Sequence, residues 1–440
     1  MNRVKLSEMA DIVMGQSPPG STCNAEGLGK PLLNGPTEFG AYHPKEVQYT
    51  TGGRKFSKKG DILFCVRGST TGRMNWADKE YVLGRGLASI RFKNGKEYNH
   101  FLKYLLEKNL KTILKSTSGS TFPNLTSDIL SSFSFLIPEE KQLKLINDFL
   151  RRLDAKIDIN NRINAELESM AKTLYDYWFV QFDYPDENCK PYKSSGGKMV
   201  YNKELKREVP EGWDVKELNS WIAYDKSGDW GKEVLEGNYT EKVNCIRGAD
   251  INGLKGFGEL KSPVRFILEK NLNKKLEAND LVIEISGGSP TQSTGRMVYI
   301  TKETLERFDN PIVCSNFCKA ITLKDERHLY FFANLWEDIY NNSILFGWEG
   351  KTSGIKNLLF DPFVNSYKTV VPDISVIEAF NQLAQPIQTK RQKNLIENQH
   401  LTQLRDWLLP MLMNGQVKVR DVEDVVAMAA EEKVKYGGSG

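Results

Sequence analysis

From Pro138 onward, apolar residues recur at alternating spacings of three and four: Leu143, Ile146, Leu150, Leu153, Ile157, then Asn160 and Asn164, then Leu167, Ala171, Leu174 and Trp178. From Pro372 the same register returns in Phe380, Leu383, Ile387, Lys390, Asn394, Glu397, Leu401, Leu404 and Leu408. A seam at this spacing predicts a helix that buries one stripe against a partner helix. Each segment is about 40 residues, on the order of 60 Å if continuous. A helix of that length needs a partner to be stable, and two in one chain most simply pair with each other, antiparallel. Both seams turn polar at the same place, at Asn160 and Asn164 and at Lys390, Asn394 and Glu397. Two readings stand. The polar residues meet and fix the register, or the helices shift phase there, with Ile159 and Ile163 or Leu395 and Ile396 facing inward.

The two helical segments also align with each other. Ile157 matches Ile387, and Leu174-Tyr175-Asp176-Tyr177-Trp178 matches Leu404-Arg405-Asp406-Trp407-Leu408 without a gap. The stretches before them, 1–137 and 212–371, carry strand-length apolar runs such as Asp61-Ile62-Leu63-Phe64-Cys65-Val66 and Asp280-Leu281-Val282-Ile283-Glu284-Ile285. Each run leads into a Gly/Ser/Thr loop that ends in Gly-Arg-Met, at 72–74 and at 295–297. The whole chain therefore reads as a duplication. Its expected parts are a first domain (1–137), a long helix (138–180), a polar linker (181–211), a second domain (212–371), a second long helix (372–414) and a tail (415–440). The closing Gly437-Gly438-Ser439-Gly440 has the composition of an artificial linker and carries no weight.

Composition narrows the class without naming it. With 60 basic and 56 acidic residues, the net charge of +4 permits nucleic-acid binding but does not demand it. No apolar run reaches the length that spans a bilayer and the N-terminus has no signal core, so a cytoplasmic protein is expected. Six scattered cysteines form no disulfide framework. Gly350-Lys351-Thr352 lacks the glycine of a phosphate-binding loop, because Leu345 stands there. The paired glycines at 27 and 29 and at 256 and 258 lack the third glycine of a dinucleotide site. The four histidines are dispersed, and Cys314 with Cys318 has no second ligand pair at finger-like spacing. No methyltransferase, helicase or nuclease motif is present, which argues against an enzyme acting on DNA alone.

The helix ends carry a resemblance. Leu174 to Asp183 (LYDYWFVQFD) resembles the close of the central conserved region of type I restriction-modification specificity subunits, and Leu404 to Gln416 (LRDWLLPMLMNGQ) looks like their distal conserved region. The strings Ser118 to Leu125 and Thr352 to Leu358 resemble the family's loop near the end of each recognition domain. This resemblance spans the chain. It implies an α+β fold with two duplicated target-recognition domains, separated by two long antiparallel coiled-coil helices with internal pseudo-two-fold symmetry. It implies no catalytic site and a bipartite double-stranded DNA target. The implied partners are two methyltransferase subunits and motor-nuclease subunits. S-adenosylmethionine, ATP and Mg are expected on those partners and not on this chain. The alternatives are a stand-alone DNA methyltransferase or restriction enzyme, and a coiled-coil scaffold without a DNA role.

Base reading needs donors and acceptors on loops that enter a groove, with Arg suited to guanine and Asn or Gln to adenine. The candidates are Arg67, Ser69, Thr70, Thr71 and Arg73 in the first domain, and Ser289, Gln292, Ser293, Thr294 and Arg296 in the second. Arg67 or Arg73 could instead pair with a carboxylate of its own domain. A further loop offers Gln16, Ser17, Ser21 and Thr22, with Trp230 and Lys232, beside Asp229 and Gly231, at the corresponding place. Ser118, Ser120, Thr121, Asn124, Lys351, Thr352, Ser353 and Lys356 could hold phosphates or simply shape turns. Leu174, Trp178, Leu404 and Trp407 are candidates for contact with a methyltransferase, beside packing at the helix ends.

Overall fold

The computed structural model describes residues 2–40, 42–115, 124–258, 260–289, 291–352 and 354–419, with only the backbone of Lys351 and Thr352. The chain divides into two compact units, Met1–Asp158 with His400–Gly440, and Ile159–Gln399.

In the first unit, Ile62–Cys65 is the key strand. Its side chains alternate: Ile62, Phe64 and the adjoining Val66 enter one hydrophobic cluster, while Leu63 and Cys65 enter another. A strand covered on both faces reads as an unbroken apolar run, which is how this segment looks in sequence. It lies in an antiparallel sheet ordered Ala10–Met14, Leu87–Phe92, Ile62–Cys65, Met74–Trp76. Helix Asn99–Lys115 supplies Phe101, Leu102, Leu105 and Leu106 to the first of these clusters. A second sheet ends in the parallel pair Lys30–Leu33 and Val82–Leu83. Asn2–Lys5 pairs with Ser134–Ile137 just before the long helix.

The second unit repeats this plan. Its main sheet runs Ile222–Ser227, Cys318–Leu323, Leu281–Glu284, Met297–Tyr299, with Leu281 and Ile283 in one cluster and Val282 in another. The parallel pair returns as Tyr239–Ile246 with Ile312–Cys314, and the entry pair as Asp214–Glu217 with Lys368–Val371. A hairpin of Glu349–Thr352 and Ile355–Leu358, joined by Ser286–Gly287, forms a three-stranded sheet of its own. The stretch 181–211 is structured too. Phe182 and Tyr184 are buried against Trp213, the latter stacked at 4.9 Å, and Met199–Asn202 pairs with Arg207–Pro210.

The long helices are Glu140–Tyr175, closed by a π turn at Asp176–Val180, and Ile374–Met413. Within the second unit they run antiparallel: Asn160 donates to Glu397 and Asn398 (2.8 and 2.9 Å), Asn394 donates to Asn164 (2.9 Å), and Arg391 pairs with Glu168 (3.3 Å). Within the first unit Arg405 approaches Asp154 and donates to the Tyr104 hydroxyl. Burial alone would raise the Asp154 carboxyl, but hydrogen bonds from His100 and Tyr104 outweigh it and hold the group below its ordinary value.

The first helix keeps the polar seam, with Asn160 and Asn164 buried and Ile159 and Ile163 exposed. The second helix departs from the expected heptad. Leu383 is 49% exposed and Lys390 faces solvent, while Ala384, Gln388, Gln392 and Leu395 turn inward. A straight helix drifts off a strict heptad by about 20° per repeat, and Pro386 removes one N–H from its backbone ladder. The second domain also attracts this face: Leu395 Cδ2 lies 2.7 Å from where a Cβ on Gly256 would stand.

The buried Asn164–Asn394 pair makes a clean test. Asn164→Leu alone strands the Asn394 amide, at a cost of about 1–3 kcal/mol. Adding Asn394→Leu is expected to recover most of that loss, since removing both partners is nearly neutral. A double-mutant cycle on thermal unfolding measures both.

Candidate nucleic-acid interface

At one end of each main sheet, three loops are tied together by the same set of backbone bonds. In the first unit Gln16 N–H donates to the Leu83 carbonyl (2.8 Å), Val66 N–H to Gly86 (2.9 Å), and Leu125 N–H to Val66 (2.9 Å). In the second, Asp229 N–H donates to Cys314 (2.8 Å), Ile285 N–H to Phe317 (2.9 Å), and Leu358 N–H to Ile285 (2.8 Å). The closest approaches match as well. A Cβ on Gly15 would lie 2.1 Å from the Gly84 carbonyl oxygen, and one on Gly228 2.0 Å from that of Ser315. Only glycine permits the two loops to touch there. Gly72 and Gly295 both take positive φ (93° and 100°), with Leu110 and Leu345 against them.

These correspondences make Arg67 the counterpart of Ser286, and each meets an asparagine of its own unit. Arg67 Nε donates to Asn124 Oδ1 at 3.0 Å, and the Ser286 hydroxyl donates to Asn357 Oδ1 at 2.6 Å. Arg67, Ser69 and Arg73 are exposed, as are Gln16, Ser17 and Ser21. Ser17 Oγ accepts from the Arg85 N–H at 3.4 Å. Thr70 is half-buried beside the Cys65 thiol. Thr22 bonds the Pro19 carbonyl and Thr50, which is a turn-shaping role.

Other candidates are committed to their own domain. Thr71 is buried and donates to the Gly68 carbonyl. Ser293 and Thr294 are buried around the Glu349 carboxylate, which also pairs with Lys356 at 3.2 Å. Arg296, expected to face DNA, instead forms a two-pronged pair with Glu284 of its own domain at 2.6 and 2.8 Å. Ser289 Oγ accepts from Gln292 N–H, leaving the Gln292 side chain exposed. Lys232 pairs with Glu236, and Trp230 lies under the Arg265 guanidinium at 3.9 Å. Trp178 is buried against Phe179 and Phe380, so it is core and not contact surface. Leu174 and Leu404 are half-buried at the margins of the two cores, whereas Trp407 is 66% exposed. Ser118, Ser120, Thr121 and Ser353 lie outside the described residues, as do the side chains of Lys351 and Thr352.

A family model described as the type I restriction modification DNA specificity domain matches residues 1–169. The type I restriction enzyme MjaIX specificity subunit of Methanocaldococcus jannaschii is 24% identical over 374 residues, which cover 83% of this chain and 79% of that one. The HindI specificity subunit of Haemophilus influenzae is 26% identical over 408 residues, covering 83% and 88%. The chain is thus similar, over most of its length, to type I restriction-modification specificity subunits. The crystal structure of the S subunit from M. genitalium shares the fold, with a TM-score of 0.55 at 17% identity over 94% of this chain and 96% of that one.

Within this chain the two loop clusters differ in charge. The first exposes Arg67, Arg73 and Arg85; in the second, Arg296 and Lys356 are neutralised internally and Asn316, Phe317 and Gln292 are exposed. Burial alone would raise the Glu349 carboxyl, but Thr294 and Lys356 outweigh it and lower it. A lowered carboxylate contributes stability above its ordinary range, and that contribution is lost as pH falls through the lowered value. The loop clamp is therefore intact at neutral pH. Arg85 and Asn316 escaped sequence reasoning. The available signal was an arginine between two glycines, Gly84 and Gly86, ahead of a buried strand. Among the described residues no helix is long and apolar enough to cross a membrane.

Proposed function

We propose that this chain is a specificity subunit that reads a bipartite duplex target, one half through each loop cluster, for partner subunits that carry the chemistry. The observation behind this reading is the duplication itself: one loop scaffold, closed twice by matching backbone bonds, presents different exposed side chains each time. A rigid frame with variable tips suits sequence reading, because the loops need little ordering on binding. In this reading two methyltransferase subunits dock on the chain, with Trp407 in the contact and Leu174 and Leu404 at its margin. They bring S-adenosylmethionine and methylate adenine. Motor-nuclease subunits add ATP- and Mg-dependent cleavage. The site of action is the cytoplasm, where the DNA lies.

The test is selection of bound duplexes from a random library by the chain assembled with its methyltransferase. The expected product has two conserved blocks with an unconserved spacer of fixed length. A single block, or no enrichment, would contradict the proposal.

A further inference from the structure

We infer that Arg85 and Asn316 are paired base-reading residues, Arg85 for a guanine in the half-site of the first domain and Asn316 for an adenine in that of the second. The inference rests on the reading above and goes further, because it assigns chemistry to each half. The two residues occupy equivalent places. Each lies two positions after the carbonyl that receives the Gln16 or Asp229 N–H, and one before the carbonyl that receives the Val66 or Ile285 N–H.

The turn that carries each residue is fixed from several sides. Gly84 N–H donates to Leu33 and Leu87 N–H to Gly84, at 2.8 and 3.1 Å; Ser315 N–H donates to Ile246 and Cys318 N–H to Ser315, both at 2.8 Å. Gly15 and Gly228 press against these turns so closely that no side chain could intervene. The backbone is thus held still while the tip is free. Arg85 and Asn316 are both exposed, and neither side chain has a bonding partner among the described residues. Their neighbours are less available: Arg67 is held by Asn124, Arg296 by Glu284 and Ser286 by Asn357.

The chemistry of the two tips selects the bases. A guanidinium matches the O6 and N7 acceptors of guanine, and a carboxamide matches the N6 donor and N7 acceptor of adenine, each in two-pronged fashion in the major groove. The contrast in charge between the clusters follows the same division.

The test maps methylated motifs, and measures methyl-transfer rates, for the chain with its methyltransferase as wild type, Arg85→Ala, Arg85→Gln and Asn316→Ala. The Arg85 variants are expected to lose discrimination at one G·C pair of one block, with a cognate rate roughly 5- to 150-fold lower, and to leave the other block and the spacer unchanged. Asn316→Ala is expected to relax one A·T pair of the other block. The spared block reports a folded, assembled complex. Unchanged motifs, or a uniform rate loss with the motif intact as a phosphate contact gives, would overturn the inference. A wild-type chain that yields no bipartite motif would instead overturn the reading beneath it.

Discussion

Replacing Asp280 by alanine is expected to cost up to about 3–5 kcal/mol, because it leaves the largely covered Lys226 ammonium without its counter-charge and, among the described residues, with only the Lys275 carbonyl as acceptor. Asp280 is almost fully buried and accepts from Lys226 at 2.8 Å, from the Thr322 hydroxyl at 2.5 Å and from the Glu277 N–H at 2.8 Å. Asp61 is its counterpart at the head of the equivalent strand. It accepts from Arg91 at 2.6 and 2.5 Å, from the Ser89 hydroxyl at 2.5 Å and from the Lys58 N–H at 2.7 Å. The carboxylate is duplicated but its cation is not: Arg91 stands on the strand Leu87–Phe92, Lys226 on the edge strand Ile222–Ser227. Asp61→Ala is therefore expected to cost a similar amount. For units of this size the loss corresponds to a fall in melting temperature of roughly 6–20 °C. Thermal unfolding followed by circular dichroism measures it, and melting points equal to wild type would refute the pairing as a source of stability.

The second large effect falls on recognition. Gly15→Ala and Gly228→Ala each place a methyl group about 2 Å from a backbone carbonyl that cannot move without opening its turn. The loop cluster of that domain should part, displacing at once several of the side chains proposed above to contact bases. Each good base contact is worth about 1–3 kcal/mol, so loss of two or three lowers affinity for the cognate duplex by about 30-fold or more. Non-specific binding, set by phosphate contacts, should change little. Competition binding of the assembled complex against cognate and random duplexes separates these effects. Equal losses on both duplexes would show general unfolding, and unchanged cognate affinity would show that the loops need no such closure.

Much of the fold was legible because it repeats. The 3,4 spacing marked both long helices, and the Gly-Arg-Met ends marked equivalent loops whose glycines do share positive φ. The antiparallel pairing followed from helix length and the polar seam, and Asn160, Asn164 and Asn394 meet as that reading required. Leu383 and Lys390 did not follow the seam, because a periodic pattern does not register the domain packed beside the helix at Gly256 and Leu395. The site was less legible. Arg73 and Arg296 look alike in sequence, yet Arg296 is bound by Glu284 while Cys65 stands at the equivalent strand position, so Arg73 stays free for solvent. Thr71, Ser293 and Thr294 have the composition of contact loops but satisfy buried acceptors of their own domain. Which polar residue faces outward is decided by turn geometry across distant strands, and no local pattern encodes it.

If this chain supplies sequence choice to a methyltransferase, as proposed above, its presence decides which sites are methylated. Genome-wide adenine-methylation mapping tests it most directly, comparing cells given this chain with its methyltransferase against cells given the methyltransferase alone. The expected result is a bipartite motif that is present only when the chain is present. Identical methylation in both, with the two proteins folded and associated, would contradict it.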